Sequence, residues 1–423
     1  MSQAYQNVRG THDFTPGESR LFSSLELRAR QTFAFYGYEE IILPILEEEA
    51  VFKKGVGETS DIVERQMFKI ACRAGSDSEE QIVLRPEGTA QVARYFIQNS
   101  LHKQGDFYKF FYMGAMFRGE RPQKGRLRQF HHIGAEALGS RSPWLDAEVV
   151  ALADSLITDF GIKEKELKIN TLGCKADKEK FAAWLKERLE ASRQDLCVDC
   201  HRRLDKNPLR VIDCKNAQCK KIVESLRLGD EHICPDCKNH FAQVLSALDQ
   251  NKVKYAVTPT LVRGLDYYTN TVFEFTSASL GSQDACGAGG RYDGLVASLG
   301  GPPIPAIGFA LGVERLMLAL GSAPEEPLLD VYVVAVSAEL VSQAVKITDC
   351  LRREGVRVDT DYCGKSLKAQ LRQAERKNAR FSIVIGPDEF KENSVMVKDM
   401  MTGNQEKVRI EDLVGKIKHK VKE

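Results

Sequence analysis

Two strand-like stretches joined by a basic segment constrain the fold of this chain more than any other feature. Residues 107–117 and 129–138 have the composition of β-strands, whereas the segment between them, RGERPQKGRLR, carries five basic side chains. Consecutive strands with one polar connection usually pair antiparallel. The sequence therefore predicts an antiparallel hairpin with a long loop that is available for function.

The remaining elements of the first three hundred residues predict a mixture of helices and strands. Apolar residues at helical spacing predict a helix over 19–36, ended by Gly37, and another over 145–160. The run 39–44 predicts an edge or interface strand that Pro44 stops. Strand patterns at 254–276, a glycine-rich segment at 287–301 and a strand leading into a helix at 305–320 complete an α+β fold class.

A chain of 423 residues is long for one hydrophobic core, which predicts several domains. We expect a catalytic domain in two parts, 1–173 and 253–325, interrupted by a cysteine-rich insert at 174–252. Residues 321–327 have the glycine, proline and acidic content of a linker. After it, residues 326–423 alternate β-α-β-α-β, which predicts a separate α/β domain.

Charge and hydropathy favour a cytoplasmic protein. The net charge is +1, so any nucleic-acid site must be a local patch. The N-terminus lacks a secretory pattern, and no apolar run approaches the ~18 residues that cross a bilayer. These patterns predict no membrane association.

The eleven cysteines, an odd number in a chain without an export pattern, favour reduced or metal-bound thiols over disulfides. Two Cys-x2-Cys pairs could together bind one structural zinc ion, through Cys197, Cys200, Cys234 and Cys237. The gap between the pairs is longer than the commonest spacing. Unliganded thiols remain the alternative, and His201, Cys214 and Cys219 are alternative ligands.

Two familiar backbone cradles for phosphate are missing from the sequence. Asp359 stands where a P-loop ending at 364–366 needs glycine, and Tyr292 stands at the last glycine position of a dinucleotide fingerprint. Nucleotide binding therefore requires arginine side chains, whose guanidinium groups match phosphate oxygens in pairs. The candidates are Arg118, Arg121, Arg126, Arg128, Arg263 and Arg315. The composition equally allows a solvated basic loop.

Three ordered segments resemble the signature motifs of class II aminoacyl-tRNA synthetases. The strand ending at Pro44 resembles motif 1, FRGERP at 117–122 with Arg126, Gln129 and Phe130 resembles motif 2, and GFALGVERL at 308–316 resembles motif 3. Within this class, LVRGLDYY at 261–268, TVFE at 271–274 and AGGRYDGL at 288–295 resemble patterns of the histidyl-tRNA synthetases. LRPEGT at 84–89 resembles the amino-acid loop of that family, and 326–423 resembles an anticodon-binding domain.

The resemblance implies a two-step reaction. Histidine attacks the α-phosphate of ATP, and the resulting adenylate acylates the terminal ribose of tRNA(His). The protein positions reactants and stabilises charge, and needs no nucleophile of its own. The family also implies a homodimer.

By resemblance, the phosphates of ATP are held by arginines and Mg²⁺. Arg118 and Arg263 would grip the α-phosphate and are the candidate catalytic residues. Arg126 and Arg315 would hold the outer phosphates, Glu120 the adenine edge, and Phe130 would stack beneath adenine. Mg²⁺ would bridge the β- and γ-phosphates through substrate oxygens and water.

The same resemblance assigns a histidine pocket. Glu87 and Thr89 would meet the amino group, and Glu136, Tyr267 and Tyr268 would surround the imidazole. Gly88, Arg118 and Arg263 would also belong to the histidine site. Because adjacent strand residues point to opposite faces, we expect one tyrosine of the pair to face the pocket. His132 departs from the family, which most often has glutamine there; a neutral imidazole can accept a hydrogen bond from the substrate ammonium, whereas an imidazolium would repel it.

A basic stripe lies in the part of the chain that resembles the anticodon domain. Lys365, Lys368, Arg372 and Arg376, with Arg380 beyond them, repeat at helical spacing and would contact tRNA phosphates. A solvated helix face is the alternative. For the whole chain, the alternatives are a regulatory paralogue in histidine biosynthesis, a class II synthetase for another amino acid and a zinc-dependent nucleic-acid binder.

Overall fold

The computed structural model of the chain describes residues 5–57, 60–71, 81–281, 284–321 and 329–422, in two units, Met1–Ala323 and Pro324–Glu423. Strands of the first unit are β1 (Glu39–Glu40), β2 (Leu46–Glu48), β3 (Ile82–Leu84), β4 (Tyr108–Phe117), β5 (Gln129–Leu138), β6 (Glu166–Thr171), β7 (Ala256–Val257), β8 (Thr269–Thr276), β9 (Ala285–Arg291) and β10 (Ala306–Gly312). Its helices are α1 (Pro16–Phe35), α2 (Glu49–Val56), α3 (Thr89–Gln98), α4 (Pro143–Asp159), α5 (Lys175–Glu190), α6 (Val198–Lys206), α7 (Leu209–Ile212), α8 (Ala217–Ser225), α9 (Pro235–Gln250), α10 (Leu295–Ser298) and α11 (Val313–Leu320).

An eight-stranded sheet forms the centre of the first unit, in the order β1-β4-β5-β10-β9-β8-β6-β7. The predicted hairpin is confirmed: β4 and β5 pair antiparallel over their whole length, from Tyr108 opposite Leu138 to Phe117 opposite Gln129. Strand β10 then pairs with β5, and the antiparallel ladder continues through β9, β8 and β6. The basic loop thus connects β4 to β5 at one end of the sheet.

The N-terminal elements follow local rules that the sequence carries. Thr15 caps α1, and Glu18 completes the capping box three residues later. Gly37 takes a φ of +72°, which ends the helix at little cost for a residue without Cβ. The predicted strand at 39–44 is shorter than expected, because only β1 pairs, parallel to β4 at the edge of the sheet.

One face of the sheet is covered by helices that share a single core. Phe33 of α1 stacks on Phe111 of β4 at 4.4 Å between ring centres, and Phe309 of β10 lies next to it. Apolar residues of α4 and of α9 join the same core. Helix α9 ends the cysteine-rich segment, so this part of the segment packs directly on the sheet.

The segment 261–268 is not a strand. It forms bends and a turn before β8 begins at Thr269, which corrects the strand predicted for it. Helices α5 to α8 pack against it: Leu185, Leu204 and Val211 share a buried cluster with Leu261 and Tyr268. The segment is therefore held between the sheet and the cysteine-rich helices.

The second unit contains β11 (Leu329–Ala335), α12 (Val341–Arg353), β12 (Val358–Thr360), α13 (Leu367–Arg376), β13 (Ala379–Ile385), α14 (Pro387–Lys391), β14 (Ser394–Asp399), β15 (Gln405–Arg409) and α15 (Ile410–Lys422). Its sheet has the order β12-β11-β13-β14-β15, parallel in its first three strands. This confirms the α+β class with a C-terminal α/β domain. Of the predicted linker, residues 322–327 lie outside the described residues. In the described parts of the chain, no helix combines the length and apolar character needed to cross a membrane.

Candidate active site

A cleft of about 610 Å³ opens beside the hairpin loop in the first unit. Its volume is in the range of small-molecule sites. Most of the residues that the sequence singles out for substrate binding line it together: Glu87, Thr89, Arg118, Glu120, Arg126, Phe130, His132, Arg263, Tyr267, Tyr268 and Arg315. They come from the β3–α3 connection, the hairpin, the 261–268 segment and α11. The fold therefore brings four distant parts of the chain together around one cleft.

The hairpin places Arg118 across the cleft floor. Its Nε donates to the carbonyl of Pro86 at 2.9 Å, and its guanidinium lies over the ring of Phe130, 5.2 Å from the centre. That face of Phe130 is therefore occupied by Arg118, and the ring of His132 lies 5.0 Å away between ring centres, with the two planes inclined by 66°. Arg126 pairs with Glu120 at 3.2 Å farther along the loop.

Arg263 and Arg315 line the same cleft. Arg263 is paired with Glu274 of β8. Arg315 donates to the carbonyls of Gly125 at 3.0 Å and Ala285 at 2.5 Å, which ties α11 to the hairpin loop. Four guanidinium groups thus face one cleft, an arrangement suited to a polyanion.

Glu87 and Thr89 lie on either side of Gly88, the N-cap of helix α3. The Glu87 carboxylate accepts from the backbone amides of Thr89 at 2.7 Å and Ala90 at 2.9 Å. Gly88 does not line the cleft. A Cβ there would lie 2.3 Å from the Tyr112 ring, so Gly88 makes room for that ring.

Glu136 lies behind the cleft wall, fully buried, and does not line the cleft itself. The hydroxyls of Thr89, Tyr112 and Tyr292 donate to its carboxylate at 2.6, 3.2 and 2.5 Å. Burial raises the pKa of Glu136 to about 8, although these hydrogen bonds lower it. Glu136 therefore acts on the cleft through Thr89 and Tyr112, which do line it.

His132 is neutral. Burial, with Arg118 and Arg85 nearby, holds the pKa of His132 well below its usual value. Its Nδ1 is buried without a hydrogen-bond partner within the described part of the chain. Because Nδ1 is shielded from solvent, a contact between His132 and a substrate would fall to Nε2.

Both Tyr267 and Tyr268 line the cleft, with ring centres 4.6 Å apart, so the expectation that one of them faces away is wrong. The alternation rule fails because this segment turns and is not extended. Two residues of the 288–295 segment support the cleft without lining it. Arg291 is buried in an ion pair with Asp146, and the hydroxyl of Tyr292 donates to Glu136.

Sequence reasoning missed three supporting residues. Tyr112 fits between Gly88 and Gly134, where a Cβ would meet its ring at 2.3 and 2.4 Å. Glu274 pairs with Arg263, and Glu314 binds the amide and Nδ1 of His131 at 2.9 and 2.8 Å. The available signal for Tyr112 was Gly134, which stands opposite it in the register of the predicted hairpin. The two glutamates lie inside segments already recognised but carry no pattern of their own.

The single zinc site predicted from two Cys-x2-Cys pairs is wrong in its ligand set. Cys197 and Cys200 lie in one cluster with Cys214 and Cys219, whereas Cys234 and Cys237 lie in another with Cys174 and Asp177. The two pairs start helices α6 and α9, which belong to different parts of the segment.

In the second unit, Lys368, Arg372 and Arg376 follow one exposed side of α13, and Lys365 precedes its N-cap. Arg380 does not continue this stripe, because the helix ends at Arg376 and Arg380 starts β13. Lys368 and Arg372 line a groove with Arg380 and Lys398.

Comparison with known proteins agrees with both units. The family described as histidyl-tRNA synthetase matches residues 10–316, and the anticodon binding domain matches 330–420. Histidine–tRNA ligases from Halothermothrix orenii and Trichlorobacter lovleyi are 43% identical over 410 residues and 44% identical over 408, covering 96% of this chain and 97% and 96% of theirs. The apo crystal structure of S. aureus histidyl-tRNA synthetase matches with a TM-score of 0.79 at 32% identity, covering 98% of this chain and 100% of that one. The chain therefore belongs to the histidyl-tRNA synthetase family.

Proposed function

We propose that the cleft carries out both steps of the histidine–tRNA ligase reaction of this family. A carboxylate oxygen of histidine attacks the α-phosphorus of ATP, the bond to the bridging oxygen breaks, and pyrophosphate leaves. The ribose hydroxyl of tRNA then attacks the histidyl carbonyl, its proton is released, and AMP leaves. The observation that carries this proposal is the convergence of four arginines and a carboxylate-lined amino-acid end in one cleft.

The arginines stabilise the charge that develops on the phosphates. Arg118 and Arg263 reach the α-phosphate, and Arg126 and Arg315 hold the outer phosphates. Arg118 is restrained by Pro86 and Phe130, so its guanidinium needs little reorganisation when ATP binds. Glu120 meets the adenine edge, and adenine stacks on the face of Phe130 away from Arg118.

Mg²⁺ supplies charge neutralisation on the β- and γ-phosphates. The carboxylates of Glu120, Glu274 and Glu314 are each paired with a basic side chain, so they are poorly placed as open ligands for it. This supports binding of Mg²⁺ through phosphate oxygens and water.

Histidine lies against Glu87, Thr89, His132 and the tyrosine pair. Glu87 and the neutral His132 nitrogen accept hydrogen bonds from the ammonium group, and His132 thereby takes the place of the family's usual glutamine. Tyr267 and Tyr268 contact the imidazole, while Glu136 fixes the hydroxyls of Thr89 and Tyr112. A pocket with such polar partners disfavours side chains that leave them unpaired.

We further propose that two copies of the chain associate through the motif 1 region and act in the cytoplasm. Ile42, two residues after the edge strand β1, is 90% exposed, and Leu46, the first residue of β2, is 50% exposed. Apolar side chains at a sheet edge are costly to leave in water. Light scattering that shows a dimer, lost on Ile42→Glu, would support this interface; a wild-type monomer would refute it.

The basic side of α13 is proposed to bind the anticodon stem-loop of tRNA(His). Lys368→Glu with Arg372→Glu should raise the KM for tRNA more than tenfold and leave histidine activation unchanged, since phosphate contacts dominate such affinity. Lys346→Glu with Arg353→Glu on α12 is the matched control. Unchanged charging by the first variant contradicts the assignment.

Histidine-dependent exchange of pyrophosphate into ATP tests the proposed function. Run with each standard amino acid, exchange should occur with histidine alone. Exchange with none would favour the regulatory paralogue, and exchange with another amino acid would favour a different synthetase.

A further inference from the structure

Two clusters of metal-binding side chains lie in the cysteine-rich segment, outside the cleft chemistry. The first contains Cys197, Cys200, Cys214 and Cys219, and the second contains Cys174, Asp177, Cys234 and Cys237. Within each cluster, one ligand atom from every residue lies within 4.8 Å of the others.

Both clusters are built around the first turns of two helices, and Cys214 of the first cluster precedes the N-cap of α8. Cys197 is the N-cap of α6 with Cys200 at the third helical position, and Cys219 holds that third position in α8. Cys234 and Cys237 open α9 in the same way. Cys174 and Asp177 repeat this spacing at the start of α5, so the aspartate takes the place of a second cysteine. The positive ends of helices favour thiolate and carboxylate in all four first turns.

The spacing of the sulfur atoms fits a tetrahedral ion. Ligands about 2.3 Å from a zinc ion lie about 3.8 Å from one another. The sulfurs of Cys197 and Cys214 are 3.7 Å apart. The amide of Cys197 donates to the Cys219 sulfur at 3.3 Å and that of Asn216 to the Cys214 sulfur at 3.5 Å, which are bonds that orient and stabilise thiolate ligands.

We propose that each cluster binds one zinc ion, the first through four thiolates and the second through three thiolates and the Asp177 carboxylate. Each thiol gives its proton to solvent as the ion binds. Neither site depends on the function proposed for the cleft. Zinc is the metal that suits both sets, since it accepts sulfur and carboxylate ligands in closed structural sites.

Burial argues for a cation in these places. Cys200, Cys219 and Asp177 are at most 1% exposed. A divalent ion offsets the cost of burying several thiolates. Without a cation, the buried negative charges would repel one another.

The two sites brace the 261–268 segment from two sides. Lys178, one turn after Cys174, donates to the carbonyls of Asp266 at 3.0 Å and Tyr268 at 2.5 Å. Arg210, shortly before Cys214, donates to the carbonyl of Gly264 at 2.7 Å. Loss of either ion should therefore loosen the segment that carries Arg263 and the tyrosine pair.

Elemental analysis of the full chain, purified without chelator, is the direct test. We expect two equivalents of zinc per chain and less than a tenth of an equivalent of iron. Less than half an equivalent of zinc, or a disulfide within either cluster by peptide mapping, would overturn the proposal.

Paired variants assign the ions. Cys200→Ser with Cys214→Ser should retain one equivalent, as should Cys234→Ser with Cys237→Ser. The exposed pair in the second unit, Cys350→Ser with Cys363→Ser, should retain two. If either ligand variant still holds two equivalents, the site it removes is refuted.

A labelling measurement on the wild type guards against variants that fail to fold. Cys174, Cys197 and Cys234 are only partly buried, so iodoacetamide should reach them in a metal-free chain. We expect them to resist alkylation until a chelator is added, while Cys350 and Cys363 react at once. Rapid alkylation of the three without chelator overturns the proposal.

Hydrogen exchange tests whether the metal sites hold the 261–268 segment in place, apart from any effect on the folding of the whole unit. After chelation, amides in 261–270 should exchange at least tenfold faster, whereas those of β4 and β5 should not change. Unchanged exchange in 261–270 would refute the bracing role.

Discussion

Glu136 offers the sharpest quantitative prediction, because its environment is buried and its partners are known. Burial raises its pKa from 4.5 to about 8. A carboxyl with a raised pKa in the folded state contributes stability that is full below pH 4.5 and is lost as the pH rises through 8. Glu136→Gln replaces the neutral form with an isosteric neutral group and removes this dependence.

The magnitude follows from proton linkage. Between pH 7 and 9 the unfolded carboxyl is already ionised, whereas the folded one gives up most of its proton. Integrating over this window gives about 1.4 kcal/mol of stability lost by the wild type and kept by the variant. The two unfolding free energies should therefore diverge by about that amount, with the wild type falling relative to Glu136→Gln.

Tryptophan fluorescence during urea unfolding can measure this in the relevant unit, because both tryptophans, Trp144 and Trp184, lie in the first unit. Glu187→Gln, at an exposed position of α5, controls for the loss of one negative charge. Parallel pH profiles for wild type and Glu136→Gln would refute the assigned environment of Glu136.

Three further substitutions test the cleft. Arg263→Ala should slow histidine-dependent exchange about 10²–10³-fold, as expected for removal of a contact to developing charge, with Arg353→Ala as control; a loss under tenfold contradicts its role. His132→Ala should raise the KM for histidine about tenfold or more, since a hydrogen bond to a charged group is lost, and His132→Gln should restore it; an unchanged KM in His132→Ala counts against the assignment. Gly88→Ala should cost about 1–3 kcal/mol by displacing the Tyr112 ring, whereas Gly294→Ala, which has open space around its Cβ, should be nearly neutral; equal effects would show that Tyr112 is not confined.

Elements whose local pattern agrees with their surroundings were predictable from the sequence. The hairpin β4–β5 was placed to within one residue, because both strands lie inside the sheet and their polar loop marks the turn. The edge strand after Gly37 was overextended, since pairing with β4 ends two residues into it. Strand length at an edge depends on the partner, which a single segment does not encode.

The 261–268 segment shows where periodicity fails. Its tyrosine pair has strand-like composition, but Lys178 and Arg210, far away in sequence, bind its carbonyls and hold a turn. The zinc ligand set predicted from the cysteine pairs is wrong for a related reason. Spacing identifies which cysteines can share an ion, but the packing of α5, α6, α8 and α9 decides which first turns meet.

The strand order also determines how long β5 waits for its partner strand during synthesis. Leu138 at the end of β5 pairs with Ala306 of β10, 168 residues further along the chain. At about 5–20 residues per second, the hairpin waits roughly 8 to 34 s on the ribosome before its neighbour emerges. During that time the edge of β5 is an open template for any other strand, so we expect the nascent hairpin to benefit from shielding by a chaperone.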